Sequence, residues 1–268
     1  MAWTANPFFT ARESSSGDVE AAPRTATLRG LRDGFLEPSA SFTGHQLFYL
    51  LVPHGLIAAV ISGVINLAIA VGMYGTTKDA INLFQFPNTL VGDATVTIIV
   101  QCIMTWLIEL ALVNQDLKHG RVQPVGSIEE PKNRLARWFM FLDRSEAKFE
   151  GGCLAHWMVF LFSQVLRAFI VAVISFAIFI GPTIGFLILV GTREGGDWTY
   201  TGTVRPSLHD WKPMIFKAIL GAALGLVTTP LFALFWLVRC GWALVRNEEH
   251  YGESQQQEPQ GMGNSDTE

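Results

Sequence analysis

The chain alternates between four long apolar stretches and polar segments that separate them. The apolar stretches cover about residues 47–73, 90–113, 154–191 and 213–245. The hydrocarbon core of a bilayer is about 30 Å thick, and a helix needs roughly 20 residues to cross it. Every stretch reaches this length. The pattern therefore predicts an all-α, polytopic membrane protein with four transmembrane helices in a bundle.

The third and fourth stretches are longer than one crossing requires, and each is nevertheless predicted to be a single helix. Two crossings within 154–191 would need a turn near the centre, but residues 165–172 contain neither Gly nor Pro. Pro182 and Pro230 lie inside these stretches. Because proline cannot donate to the helical hydrogen-bond ladder, a kink is expected at each.

Polar termini flank the predicted transmembrane domain, residues 45–248. Residues 1–44 and 249–268 contain too few apolar side chains to offset the entropy of ordering a chain. We therefore expect a mobile tail at the N-terminus and a disordered tail at the C-terminus.

The long polar segment 114–153 contains one periodic element. Its apolar residues recur at helical spacing and its basic residues lie largely between them, which predicts an amphipathic helix. Such a helix either lies at the level of the lipid headgroups or packs on the cytoplasmic end of the bundle. The apolar positions are Leu135, Trp138, Phe139, Leu142 and Phe149, and the basic ones include Arg134, Arg137 and Arg144.

The distribution of basic residues predicts the orientation of the bundle. Of the 19 Lys and Arg residues, only Lys78, Arg193, Arg205, Lys212 and Lys217 fall on the side of the first and third connections. Cytoplasmic segments next to membrane helices carry an excess of Lys and Arg. Both termini and the segment 114–153 are therefore expected in the cytoplasm.

Polar residues recur every four positions along the second predicted span. Successive steps of four rotate by about 40° on an α-helix, so these residues form a slowly drifting stripe on one side. In the structural interpretation, the stripe forms interhelical hydrogen bonds worth about 0.6–2 kcal/mol each, with Asn66 and Gln164 as partners. In the functional interpretation, it lines a small polar cavity for a ligand or ion. The stripe consists of Asp93, Thr97, Gln101, Thr105 and Glu109.

Two charged residues are expected at similar depth near the cytoplasmic ends of the second and third spans. These residues are Glu109 and Arg167. Either they form an ion pair, which would offset much of the desolvation of both groups, or each reaches separately to the interface. The candidate binding residues of the bundle are Asp93, Gln101, Glu109, Gln164 and Arg167, and no catalytic or metal-binding residue is predicted.

Composition excludes several classes of function. A net charge of −4 and a pI near 5.9 give no basic field for nucleic acid. The three cysteines lack C-x-x-C spacing, so neither a zinc site nor a disulfide framework is expected. No nucleophile elbow, P-loop or dinucleotide fingerprint occurs. We therefore expect no enzyme and no cofactor.

Small residues predict close helix packing. Gly221 and Gly225 repeat at four-residue spacing in the fourth span, a pattern that lets membrane helices approach closely. Packing within the chain is the preferred interpretation. The same glycines would otherwise serve an oligomer.

Three runs of sequence resemble a family of uncharacterised fungal multi-pass membrane proteins. They are SGVINLAIAVGMYG at 62–75, GDATVTIIVQ at 92–101 and TWLIE at 105–109. The resemblance extends over about residues 45–245 and is closest in the first two spans. It implies an endomembrane location, vacuolar or in the endoplasmic reticulum, with the plasma membrane as the alternative, and it carries no activity or cofactor.

The sequence thus favours a non-enzymatic integral membrane protein that acts as an organiser or accessory subunit. Its partners would be the bilayer itself and, through Arg134, Arg137 and Arg144, anionic lipid or protein. The alternative is a subunit of a transporter or channel for an ion or small solute, which would use the polar residues of the first three spans.

Overall fold

The computed structural model describes residues 35–76, 79–140, 153–200 and 211–257, with the side chains of 153–157 and 246–257 excluded. The predicted N-terminal tail as far as residue 34 lies outside this part of the chain, as do Lys78, Arg144, Lys148 and Arg205. The described residues are mostly helical. Four helices are long and apolar enough to cross a membrane. The helices are α1 (Gly44–Tyr74), α2 (Leu90–Lys118), the short α3 (Arg134–Phe139), α4 (Cys153–Val190) and α5 (Lys212–Gln257).

The observed helix ends extend the predicted spans. α2 continues to Lys118, beyond the expected end at residue 113. α5 continues to Gln257, beyond the expected domain boundary at residue 248. The segment between that boundary and Gln257 was expected to be disordered and is helical instead. Its Glu and Gln residues have high helix propensity, which explains the continuation.

Prolines occupy the interior of three of the long helices. Pro182 lies within α4 and Pro230 within α5, and both helices are continuous through them. α1 instead changes its winding, because residues Val52–Ile57 form a π-helical turn that includes Pro53. That turn was not predicted from the sequence.

A small sheet, which was not predicted from the sequence, joins the two connections that were predicted to lie opposite the termini. The strands have the order β2-β1-β4-β3, with β1 and β2 parallel and the other pairs antiparallel. Gly195 and Gly196 have φ values of 57° and 94°, which permit the tight turn between β3 and β4. The strands are β1 (Ile81–Asn82), β2 (Asn88–Thr89), β3 (Thr192–Glu194) and β4 (Asp197–Thr199).

Asp197 connects the two halves of this sheet. Its carboxylate accepts hydrogen bonds from the backbone N–H groups of Phe84 and Gln85, both at 2.9 Å, and of Trp198 at 2.8 Å. Burial alone would raise the pKa of this carboxyl, but the three N–H donors outweigh it and the pKa is lowered. The loop therefore needs the ionised aspartate, which explains how strands of only two or three residues are maintained.

The chain divides into two compact units, of which the larger comprises Phe48–Leu112 and Lys148–Ala233. Parts of all four long helices pack in this unit around a buried apolar core. The core includes Leu83, Leu90, Ile98, Cys102, Leu187 and Leu224, each with no exposed surface.

Close approach of α1 and α5 depends on small residues. A Cβ atom added at Gly225 would lie 3.0 Å from the carbonyl oxygen of Ala58 and 3.1 Å from the Cα atom of Ala59. A Cβ atom at Gly221 would collide with the side chain of Asn66. Both glycines therefore serve packing within the chain. Their participation in an oligomer stays a prediction.

The smaller unit includes residues 35–47, 113–140 and 234–257 of the described chain. Gln46, at the start of α1, has no exposed surface, and its Nε2 atom donates to Ser39 Oγ and to the carbonyl oxygen of Gln123, both at 2.9 Å. Ser39 N donates in turn to Pro124 O at 2.9 Å. These bonds fix the segment before α1 against the segment that follows α2.

We expect Gly225→Ala to destabilise the larger unit by about 1–3 kcal/mol, because the new methyl group would press on the backbone of α1. Gly72→Ala is the matched control, since nothing lies within 4 Å of a Cβ atom added there. The control should be neutral or stabilising by up to about 1 kcal/mol through helix propensity. Thermal unfolding in detergent measures both. Equal effects of the two substitutions would contradict the packing described.

Candidate functional site

Three polar layers in the larger unit connect α1 and α2, two of them also include α5, and together they form the candidate site. The layers are named after the α2 residue that each contains: Asp93, Gln101 and Glu109. These residues are spaced by eight, so adjacent layers lie about 12 Å apart along α2. All three belong to the stripe predicted from the sequence.

The Asp93 layer is a buried ion pair with a hydroxyl group attached. Asp93 Oδ1 pairs with Lys217 Nζ of α5, and the two side chains are 9% and 4% exposed. Tyr74 of α1 donates its hydroxyl proton to Asp93 Oδ2 at 2.8 Å. The carboxylate therefore holds one end of α1 and one turn of α5 to the same point of α2.

The Gln101 layer is a network of neutral hydrogen bonds. Gln101 Nε2 donates to Ser62 Oγ at 2.6 Å and to the carbonyl oxygen of Gly221 at 3.0 Å. Gln101 Oε1 accepts from Asn66 Nδ2 at 3.0 Å, and the same Nδ2 donates to Ser62 O at 2.9 Å. Since both amide groups use both their protons, the donor capacity of this layer is fully satisfied.

The Glu109 layer pairs a carboxylate with an imidazole. His54 Nδ1 lies 2.7 Å from Glu109 Oε2, and the two side chains are 7% and 3% exposed. Tyr49 packs its ring on His54, with the centroids 4.4 Å apart. This layer lies where the sequence analysis expected the cytoplasmic ends of the first two spans.

The π-helical turn explains why His54 faces Glu109. Asn66 lies twelve residues after His54, and at about 100° per residue an ideal α-helix would place the two about 120° apart. A π-helical turn accommodates one extra residue. If the extra residue is left out of the count, eleven residues separate His54 from Asn66, which corresponds to an angle of about 20° around the helix. The two residues therefore share one face of α1.

α4 contributes separately to the site. Gln164 is 1% exposed and accepts a hydrogen bond from Trp106 Nε1 of α2 at 3.2 Å. Arg167 is 7% exposed, and its Nη1 atom donates to the carbonyl oxygen of Ser163 at 3.1 Å and also to the Ser163 hydroxyl. The pairing of Glu109 with Arg167 stays a prediction.

The structure thus distributes the candidate residues over three layers and α4. Asn66 meets the stripe at Gln101, as expected. Sequence reasoning missed three of the partners: Lys217, Tyr74 and His54. Lys217 had a detectable signal, because it lies inside an apolar stretch at the depth expected for Asp93, whereas His54 depends on the π-helical turn.

No metal site is found among residues 35–76, 79–140, 153–200 and 211–257, since no group of three or more His, Cys, Asp or Glu side chains could hold an ion there. The buried acids of the layers, Asp93 and Glu109, have basic or hydroxyl partners instead. The layers can hold the helices in register. The Asp93 and Glu109 layers also place ionisable side chains in the interior.

Comparison with known proteins gives relatives without assigned activity. A family described as "Protein of unknown function (DUF2456)" matches residues 137–237. An uncharacterised protein of Schizosaccharomyces pombe is 33% identical over 183 residues, which are 68% of this chain and 35% of that protein. The predicted resemblance to an uncharacterised fungal family is confirmed. A second relative, from Saccharomyces cerevisiae, is 37% identical over 92 residues, which are 34% of this chain and 26% of that protein.

The extent of the family match differs from expectation. It covers α4 and the first part of α5, whereas the closest resemblance was expected in the first two spans. The chain spans about a third or less of the length of these two fungal relatives. No solved structure matches the chain.

We expect the Asp93–Lys217 pair to show strong coupling. Lys217→Met alone should cost about 3–5 kcal/mol, because it leaves a buried carboxylate without its cation. The double variant with Asp93→Asn should cost less than the sum of the two single changes, by about 0.5–3 kcal/mol. Unfolding in mixed detergent micelles measures these free energies.

The control for this cycle is the pair of Arg121 and Asp116, in which the arginine side chain is 65% exposed. Arg121→Met should change stability by less than about 1 kcal/mol, since an exposed pair is screened by water. Additive effects at Asp93 and Lys217 would show that the buried pair does not act as a unit.

Proposed function

We propose that this chain is an integral membrane protein whose four long helices cross an endomembrane, with both termini in the cytoplasm. It acts as a non-enzymatic organiser or accessory subunit. The interior of the bundle is a rigid scaffold in this proposal. The cytoplasmic segment 113–140 and the tails are the parts presented to partners.

Exposed apolar side chains support insertion into a bilayer. Leu56, Val60 and Val64 follow one another at four-residue spacing on α1, and they are 59%, 60% and 61% exposed. On α4, Phe162 is 71% exposed and Leu189 is 83% exposed. Soluble monomers rarely expose contiguous apolar surface on this scale. Hydrocarbon would cover these rows at no desolvation cost.

The polar layers support the proposed orientation as well. The sequence placed Lys217 on the side of the first and third connections and Glu109 near the cytoplasmic end of the second span. Lys217 pairs with Asp93 near the start of α2, and Glu109 contacts His54 sixteen residues further along the same helix. The excess of Lys and Arg on the side of the termini then gives the direction. The proposed endomembrane location, vacuolar or in the endoplasmic reticulum, rests on the fungal resemblance alone.

One observation carries the scaffold role: the Gln101 layer is closed on itself. The midpoint of the predicted stripe is where a pathway or ligand cavity would need available polar groups. Both protons of the Gln101 amide are instead donated to the neighbouring helices, to Ser62 and Gly221, and its oxygen accepts from Asn66. Opening this layer to a solute would break bonds between three helices at once.

The transporter alternative is favoured by a different observation. Ionisable residues within membrane helices are costly and commonly mark ion pathways. The larger unit buries two pairs of them, Asp93 with Lys217 and His54 with Glu109. A proton or cation pathway would use these pairs at its two ends and would require the Gln101 layer to open.

The membrane assignment predicts that the protein resists extraction by alkaline carbonate and dissolves only in detergent. Tags placed at the two termini should both be digested by a protease added to the cytoplasmic side of sealed vesicles. A tag in the loop between β3 and β4 is the matched control and should be protected. Termini labelled on opposite sides of the membrane would overturn the proposed topology.

The scaffold role predicts no ion flux. Purified protein reconstituted in liposomes with a trapped pH dye should dissipate a proton gradient at the rate of protein-free liposomes. A faster rate that Glu109→Gln and Asp93→Asn abolish would favour the transporter alternative instead. Arg121→Met serves as the control, because Arg121 is exposed and lies outside the three polar layers.

A further inference from the structure

The segment that follows α2 is fixed along the last third of α5. Val125 N donates to the carbonyl oxygen of Leu237 at 3.2 Å. Trp242 Nε1 donates to the carbonyl oxygen of Ile128. The backbone of Val125 passes so close to Gly241 that a Cβ atom at that position would collide with its carbonyl group. The segment therefore lies against residues 237–242 of α5.

The short helix α3 continues this arrangement. Asn133 caps its N-terminus by accepting a hydrogen bond from Leu135 N at 3.1 Å. At the other end, Phe139 packs edge-on against Phe235 of α5, with the ring centroids 5.7 Å apart. One side of α3 is thus held to the end of the last apolar helix.

Two other apolar side chains of α3 are exposed beside this contact. Leu135 is 74% exposed and Trp138 is 44% exposed, three residues apart on the same face. Ile128, just before the helix, is 43% exposed. Water would contact all three side chains if this end of the molecule stood clear of a membrane.

Basic side chains border this exposed face. Lys132 and Arg134 are both exposed at the start of α3. In the described segment just before α3 the acidic residues are Glu129 and Glu130, and Glu130 is 3.6 Å from Arg137 and offsets that charge. Among the described residues, Lys132 and Arg134 therefore supply the positive charge next to Leu135 and Trp138.

The depth of α3 follows from the helix that holds it. The candidate span of α5 ends at Val245, so Phe235 and Trp242 belong to its final turns. Arg239 lies between them and has its guanidinium 5.6 Å from the ring of Trp236. Aromatic and basic side chains at the end of a span are typical of the headgroup region. A segment attached there reaches the same level.

We propose that α3 and the residues next to it form a docking surface for anionic phospholipid, with Leu135 and Trp138 inserted at the headgroup level and Lys132 and Arg134 on the phosphate groups. The inference rests on the proposed membrane insertion and adds a lipid class to it. A bilayer is favoured over a protein because the apolar pair and its basic border are attached to the final turns of the α5 span, the level at which headgroups are expected.

The test uses the full chain in nanodiscs made of zwitterionic lipid alone or of the same lipid with phosphatidylserine. Leu135→Cys carries an environment-sensitive dye, and labelling of the chain that retains Leu135 measures the background from the native cysteines. We expect quenching by lipids that carry a spin label near the headgroup, and protection from aqueous iodide. Both should increase when phosphatidylserine is present.

The charge contribution is tested by lipid competition. Lys132→Gln with Arg134→Gln should lower the enrichment of phosphatidylserine around the protein by about thirtyfold, at roughly 1 kcal/mol for each of the two basic residues. Arg193→Gln with Lys212→Gln removes the same charge outside α3 and is the matched control. It should leave unchanged the effect of phosphatidylserine on the dye at Leu135→Cys, which Lys132→Gln with Arg134→Gln should reduce.

A dye that iodide quenches fully in both lipid mixtures, on protein that has entered the nanodiscs, would overturn the lipid surface and leave membrane insertion intact. A surface of α3 that binds another protein and not lipid would also give this result, because no such protein is present in the nanodiscs. Failure of the chain to enter nanodiscs at all would overturn the proposed membrane role and this inference with it.

Discussion

The register between α1 and α2 is the constraint on which the rest of the larger unit depends. Two contacts define it, Tyr74 with Asp93 and Asn66 with Gln101. Moving eight residues forward along α2 moves eight residues backward along α1, as two antiparallel helices require. Apolar side chains alone would tolerate a shift by one turn, because Leu, Ile and Val fill similar spaces. A polar group buried without its partner costs far more than such a change in packing. The hydrogen bonds therefore select one register among several that the apolar surfaces allow.

Once that register exists, the position of α5 follows from it. Asp93 pairs with Lys217, and Gln101 donates a hydrogen bond to the carbonyl oxygen of Gly221. Gly221 follows Lys217 by four residues, or about one helical turn. That carbonyl is reachable only because α5 has no side chain at Gly221 and can approach Asn66 closely. Small residues and polar residues thus act together: the glycine permits the approach, and the amide fixes the angular position at which it occurs.

The sequence predicted the elements well and the partners incompletely. Four apolar stretches longer than a bilayer crossing leave little choice of architecture, and the polar stripe follows from fourfold spacing alone. The small sheet was missed because strands of two or three residues have no periodicity to detect, and Asp197 reveals its role only when its backbone donors are in place. The partner of Glu109, His54, was missed for a similar reason. A π-helical turn changes the phase of every residue before it, and no count at 100° per residue places His54 opposite Glu109.

The energetic character of the layers also bears on why they exist. A buried ion pair often adds little net stability compared with apolar residues of the same volume, because desolvation offsets most of the attraction. The Asp93–Lys217 ion pair and the His54–Glu109 contact, separated by a neutral layer, are therefore better explained by specificity than by stability. Each excludes alternative registers through the cost of leaving its charge unpaired. The neutral layer lies midway between them. In the proposed bilayer a pair of charges would be deepest in hydrocarbon at this point, and an amide network can satisfy three helices there at lower cost. A protein built to conduct ions would need its charges accessible from one layer to the next. Here the amide of Gln101 separates them, which is the arrangement expected of a scaffold.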